Sequence, residues 1–313
     1  EYTIPTASEA LPVMDITGKG VADGDAGWYT FSVNAELVAV NTNREVVYYR
    51  DVRCVADMAL NNFQPETVNG AQFYSFYVNL NLKLANAGKG LGGWVVMDEH
   101  YKDIDFIDML PNDDPNHTHG EGYVDFHEIR ILGPKHYLTL SYTPLVVDNL
   151  PATIKGIDGG SQASVWAGIF QEVEDGKVVA EINTTDYPAM YEAAVEGIKY
   201  SELIGSYEKQ NSWNDYVHPN SLDYILNDAG NVQKLLVSLR HLSAVLQFDM
   251  PSGKIEWILG GKASTLSGFD DYSETRADDN GVEFNAIMFG QHYARYHEVR
   301  KDGTLDVSVF DNW

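Results

Sequence analysis

From Trp28 onward apolar and polar residues alternate in short runs broken by Gly-, Asn- and Asp-containing turns, the pattern of strands with one packed face and one wet face. Trp28 to Val33, Glu36 to Val40 and Val46 to Arg50 make a first set of strand-like runs. A second set covers Gln72 to Leu82, Gly93 to Met97 and Asp103 to Met109. The third begins at Phe126, is interrupted from Val146 to Ser164, and resumes over Val165 to Glu172 and Lys177 to Asn183. The fourth is the most regular: His218 to Leu226, Leu235 to Arg240, Ala244 to Asp249 and Lys254 to Leu259, with Asn227 to Asn231 and Pro251-Ser252-Gly253 as turns. A fifth opens at Phe289 and has run for two strands when the sequence stops at Trp313. Helix is expected only between Asp186 and Tyr216: over Tyr187 to Gly197, where a proline stands near the start, and in a second short piece from Ser201.

Three of these stretches share a grammar. Asp125-Phe126-His127-Glu128, Val217-His218-Pro219-Asn220 and Gly290-Gln291-His292-Tyr293 each put a histidine at the opening of a strand that is followed by a turn and a second strand. Four short strands in roughly forty residues is the repeat of a β-propeller, in which equivalent positions of successive blades converge on a central channel. The expectation is an all-β propeller of about six four-stranded blades with helical and loop insertions at one end. Residues 28–313 form the propeller domain, and 1–27 are an entry segment available to complete the ring. His127, His218 and His292 then meet. His100, His136, His241 and His297 have no repeat equivalent and are assigned to structure or surface.

Composition narrows the partners. With 46 acidic against 21 basic residues the net charge is −25, which excludes nucleic acid and anionic membrane surfaces as partners. An anionic ligand must be drawn in by local positive groups against that field. The 19 Tyr, 12 Phe and 6 Trp suit sheet faces and a flat organic ligand. Cys54 is the single cysteine, so neither an intramolecular disulfide nor a cysteine metal cluster is available. No apolar run is long enough to span a membrane as a helix. Glu1, with no Met before it, fits a removed signal peptide and a trimmed chain equally.

Taken as an ordered set, Asp125-Phe126-His127-Glu128, His218-Pro219-Asn220-Ser221 with Ser238-Leu239-Arg240, the Gln247-to-Trp257 run closed by Gly260-Gly261, and Gln291-His292-x-Ala294-Arg295 resemble the bacterial arylsulfate sulfotransferases. The resemblance covers roughly Trp28 to Trp313. It implies an enzyme that moves a sulfuryl group from a phenolic sulfate ester to another phenol, without a nucleotide sulfate donor or other cofactor. His292 would be the nucleophile that becomes sulfohistidine in a ping-pong cycle. His127, His218, Asn220 and Arg240 would bind the sulfate oxygens or assist proton transfer. The resemblance also implies a periplasmic or secreted location and is compatible with a homodimer. The chain departs from the family in Tyr293 after the nucleophile, in its shorter length and in lacking a cysteine pair.

The residue types suit that chemistry. Neutral imidazole is a competent nucleophile near neutral pH, and a covalent adduct divides one difficult transfer into two easier ones. A guanidinium offers permanent charge and planar donors to sulfate oxygens, and an amide adds neutral ones. Either His127 or His218 could serve the leaving and entering phenols as acid and base.

Other readings attach to other residues. His117-Thr118-His119-Gly120-Glu121 with Asp125 and His127 is compatible with a transition metal, and Asp113-Asp114 or Asp278-Asp279 with calcium. Solvated acidic turns are the favoured account of both, and no metal is assigned. The glycines from Gly88 to Gly93 lack the strand-then-helix setting of a phosphate loop and are read as a turn. The rival functions are a non-catalytic propeller binding a ligand or protein at its channel mouth, and a metal-dependent ester hydrolase that chelator would inactivate.

Overall fold

The computed structural model describes residues 28–43, 45–53, 58–80, 89–111, 123–154, 162–195, 214–261, 264–266, 270–273, 275–277, 283–285, 288–299 and 304–312. The entry segment 1–27, Cys54, the loop carrying His117, His119 and Glu121, the acidic turns at Asp113 and Asp278, and the helix expected from Ser201 lie outside the described residues. Among the described residues the chain is nearly all β, in several mainly antiparallel sheets. It divides into two compact units, Glu1–Asp108 and Met109–Trp313.

In the first unit β1 (Trp28–Val33), β2 (Glu36–Asn41) and β3 (Val46–Asp51) pair antiparallel, with strand limits within a residue of those predicted. A second meander runs through β4 (Ala59–Val68), β5 (Ala71–Asn79), β6 (Gly92–Met97) and β7 (Asp103–Ile107). The strand β4 has no counterpart among the predicted runs. Asn61, Asn62 and Pro65 break its alternation, Asn62 sits in left-handed backbone (φ 47°), and the register slips between Asn61 and Gln64. Pairing to β5 carries it through a proline that a central strand would not tolerate. Leu37, Phe63, Phe76 and Met97 close the core of this unit.

The second unit holds the other repeats. β8 (Tyr123–Gly133), β9 (His136–Val147), β10 (Ala163–Glu174) and β11 (Lys177–Asn183) form one antiparallel meander. β12 (Pro219–Leu226), β13 (Val232–Leu239), β14 (Ala244–Asp249) and β15 (Lys254–Gly260) form another, and β16 (Asp270–Ser273) joins β15 in parallel. Two hairpins follow, β17 (Thr275–Ala277) with β18 (Glu283–Asn285), and β19 (His292–Val299) with β20 (Leu305–Phe310). The two meanders share one core through Leu140, Phe170, Leu222, Leu235, Val237, Leu246, Phe248 and Ile258. Their facing surfaces exclude water over a continuous apolar layer, and this burial is the main force holding the unit together.

The helical stretch is shorter than its sequence suggests. Among the described residues only Ala189–Ala193 is α-helical (α1), after a 3-10 turn at Thr184–Asp186. Ala194 turns extended (ψ 117°), and the Val195 N–H donates to the His241 carbonyl at 2.8 Å rather than back into the helix. A tertiary partner thus outcompetes helix propagation, which is weak for so short a segment.

Side chains stitch β12 to β19. Asn220 donates to the Gln291 carbonyl at 2.8 Å, the Ala294 N–H donates to Ser221 Oγ at 2.8 Å, and the Tyr296 N–H to Asp223 Oδ2 at 2.9 Å. Glu128 of β8 then ties in the third strand. Its carboxylate pairs with the Arg295 guanidinium of β19 and accepts the Leu222 N–H of β12 at 3.2 Å. One buried carboxylate therefore joins the strands that carry, or directly follow, the three repeat histidines.

Candidate active site

Each repeat histidine is placed by a local break in regular structure. His127 lies inside β8 rather than at its start, in the irregular stretch between Val124 and Ile129 where pairing to β9 is lost. There the Asp125 carboxylate takes both the His127 backbone N–H, at 2.8 Å, and the ring Nδ1–H. His218 precedes β12 in left-handed backbone (φ 47°), where its Nδ1–H donates to Asp215 Oδ2 at 2.7 Å. His292 opens β19, as expected, and its Nδ1–H donates to the Gly290 carbonyl at 2.8 Å. Gly290 needs its left-handed φ of 65° to present that carbonyl, a conformation glycine adopts freely.

The three rings converge. His127 lies 5.9 Å from His218 and 6.1 Å from His292 between ring centroids. Tyr142 stands edge-on to His218 at 5.6 Å, and its hydroxyl donates to the Pro219 carbonyl at 2.8 Å, bracing the segment that holds His218. Phe126 stacks on His127 at 4.5 Å and is only partly buried, so it adds an aromatic face beside the cluster.

Arg240 belongs here too, though not as the last residue of a strand. β13 ends at Leu239, and Arg240 begins a 3-10 turn, Arg240–Leu242, closed by Ser243 in left-handed backbone. The Arg240 and His241 N–H groups donate to the carbonyls of His218 and Val217 at 3.0 and 3.1 Å, which fastens this turn beside the His218 segment. A Cβ on Gly290 would meet Arg240 Nε at 3.6 Å, so the guanidinium lies against the turn that orients His292.

Charge and burial set the protonation state. Burial pushes the His292 imidazolium pKa below its usual 6.5 against the pull of the Gly290 carbonyl, and smaller repulsions from His127, His218 and Arg240 act in the same direction as burial. Burial lowers that of His218 as well, against the pull of Asp215. Both rings are therefore neutral near pH 7. With their protons on Nδ1, the partners place the lone pair of each on Nε2. A neutral His292 with its lone pair on a defined nitrogen is a nucleophile, and a guanidinium beside it is a receptor for anionic oxygens.

Asn220 is buried, and at least one amide hydrogen is used in holding Gln291. Three further residues were given no such role from sequence, Asp125 having been named there only within the first motif and as a candidate metal ligand. Asp125 and Asp215 orient His127 and His218, and short Asp-to-His spacings are too common in sequences to single out. His241, assigned from sequence to structure or surface, packs on His218 at 4.6 Å and accepts a hydrogen bond from Arg240 Nη1 at 2.8 Å. The signal was its adjacency to Arg240. Of the remaining histidines, His136 pairs with buried Glu172 at 2.8 Å, remote in role from the cluster, while His100 and His297 are exposed.

Asp215, His218 and His241 bring ligand atoms within 4.8 Å of one another, the one such group among the described residues. A metal held by both Nδ1 atoms would leave a proton on His241 Nε2, facing the N–H of Arg240. Two donors cannot bond, and the guanidinium repels a divalent cation. The hydrogen bonds present suit a proton-ordered cluster better than a metal centre.

An all-β chain with a neutral, oriented imidazole beside a guanidinium has the makings of a group-transfer enzyme acting on an anionic ester. A sequence profile of the arylsulfotransferase (ASST) family matches residues 152–313, just over half of the chain, and the chain belongs to that family. His218, Asn220, Arg240, His241 and His292 fall inside the matched span, and His127 precedes it. No curated protein sequence matches. Among solved structures, a protein of unknown function from Bacteroides caccae is 13% identical with a TM-score of 0.39, over 91% of this chain and 73% of that one. Dihydro-heme d1 dehydrogenase NirN in complex with DHE is 12% identical with a TM-score of 0.31, over 91% of this chain and 52% of that one. Likeness at that level bears on neither fold nor activity.

Proposed function

We propose that this protein is an arylsulfate sulfotransferase that carries the sulfuryl group on His292 in a ping-pong cycle. The observation that carries the reading is the convergence of His127, His218 and His292 with Arg240, His292 being neutral with its lone pair on Nε2. In the first half-reaction Nε2 attacks sulfur, the N–S bond forms, and the S–O bond to the aryl group breaks. The departing phenolate takes a proton from a neighbouring histidine in its protonated form, His127 or His218, that form being the minor one for His218 near pH 7. The ring gains positive charge as the bond forms, and the Gly290 carbonyl, accepting Nδ1–H, stabilises it. In the second half-reaction the acceptor phenol attacks sulfur, gives its proton to the same imidazole, and the N–S bond breaks. Arg240 lies where it would hold the equatorial oxygens, as cations do in phosphoryl transfer.

The antiparallel meanders β8–β11 and β12–β15 and the hairpin β19–β20 are the elements that this reading takes as blades of a propeller domain of about six blades over 28–313. The donor and acceptor are a small aryl sulfate and a phenol. The place of action is outside the cytoplasm, periplasmic or secreted, and a homodimer is compatible with this reading.

A time course with 4-nitrophenyl sulfate, with and without phenol, tests the reading. Expected is phenol-dependent nitrophenol release that is indifferent to EDTA and lost in His292→Ala. Release that survives in that variant, or that chelator abolishes, would overturn it.

A further inference from the structure

His241 has both ring nitrogens committed. Its Nδ1–H donates to the Asp215 carbonyl, which leaves Nε2 as the acceptor of the Arg240 Nη1–H at 2.8 Å. Only the neutral Nδ1–H tautomer satisfies both partners, since a backbone carbonyl cannot donate and a guanidinium cannot accept. Asp215 is thus used twice, its carboxylate on His218 and its carbonyl on His241. The ring also packs on His218 at 4.6 Å, so His218 and Arg240 are aligned from one support. Arginine on a flexible stem must otherwise lose side-chain freedom when it binds an anion, and a partner that holds the planar head beforehand lowers that cost.

We propose that His241 is a positioning residue, holding the Arg240 guanidinium through Nε2 in the orientation that receives the sulfuryl oxygens. The inference rests on the sulfotransferase reading, because it assigns Arg240 to the anion. His241 itself touches no reacting atom. Its backbone bonds, to Val217 and Val195, do not depend on the side chain and remain available to a substituted turn.

The test measures inorganic sulfate affinity by calorimetry and 4-nitrophenyl sulfate turnover for the unaltered protein, His241→Phe, His241→Gln, Arg240→Ala and the Arg240→Ala/His241→Phe double variant. Phenylalanine keeps the ring's volume but loses both the Nε2 acceptor and the Nδ1–H donor to the Asp215 carbonyl, while glutamine supplies an amide oxygen in place of Nε2. Expected for His241→Phe is sulfate binding weaker by about 5- to 100-fold, with a matching rise in KM for the donor. Glutamine should recover most of the loss, and the double variant should bind no more weakly than Arg240→Ala alone. Wild-type affinity in His241→Phe, no recovery with glutamine, or additive losses in the double variant would each overturn the positioning role while leaving the sulfotransferase reading standing. An unaltered protein that neither binds sulfate nor releases nitrophenol would overturn both.

Discussion

At the scale of single residues, the site is a set of imidazoles whose proton positions are dictated by carbonyls and carboxylates. Because burial lowers the pKa of His292, the nucleophile stays neutral to more acidic pH than a free imidazole. The acid limb of kcat/KM should therefore lie below pH 6.5, and a pH-rate profile with a limb above that value would contradict the assignment. Asp215→Asn keeps the shape but loses the charge that supports a protonated His218, leaving at most a neutral amide oxygen to accept from Nδ1–H. We expect kcat to fall by roughly 10²- to 10⁴-fold if His218 is the acid and base, and the corresponding Asp125→Asn variant reports on His127. His127, His218 and His292 were legible from the repeated stretches, and Asn220 and Arg240 from the family resemblance. His241 and the two aspartates were not, since their roles arise from which neighbour accepts which proton.

At the scale of elements, the buried pair of Glu128 and Arg295 holds the histidine-bearing segments in register. Both side chains lie within the second unit, and Arg295 also packs under the ring of exposed Tyr293 at 3.6 Å. Arg295→Met removes the partner of a buried carboxylate and should cost about 3–5 kcal/mol in a urea titration. Glu128→Gln/Arg295→Met together should cost clearly less than the sum of the two single changes, and strict additivity would show that the two act independently. Alternation of apolar residues was enough to read β1–β3, β12, β14 and β15 to within a residue, while β13 begins three residues before its predicted start. It failed for β4, where three polar or ring-constrained residues hide a strand, and for α1, whose extent was settled by the His241 carbonyl.

At the scale of the whole molecule, net charge and titration make two predictions. The chain carries −25, and so repels the anionic donor it is proposed to use. Raising ionic strength from about 0.01 to 0.15 M shortens the screening length from about 30 to 8 Å. Transfer at low donor concentration should therefore speed up, with kcat at saturation unchanged, and a slower rate with salt would argue that the Arg240 charge dominates the approach. For stability, His218 and His292 take up a proton less readily folded than unfolded. Their contribution is fully present above the unfolded value near 6.5 and is lost as pH falls through the lowered folded values. Melting temperatures measured downward from pH 7.5 should fall in that window, and His218→Gln and His292→Gln should flatten the slope.

Strand positions, repeat grammar and the acidic balance follow from the order of residues, because side-chain alternation and charge are local or additive properties. The convergence of His127, His218 and His292 was readable only as a consequence of the repeat. The bonds that orient them depend on contacts between residues such as Glu128 and Arg295, or Asn220 and Gln291, far apart in the chain. Hydrogen-bond direction and burial are properties of three-dimensional neighbours, and only the tertiary structure could decide that Arg240 is held by His241 and that His292 keeps its lone pair on Nε2.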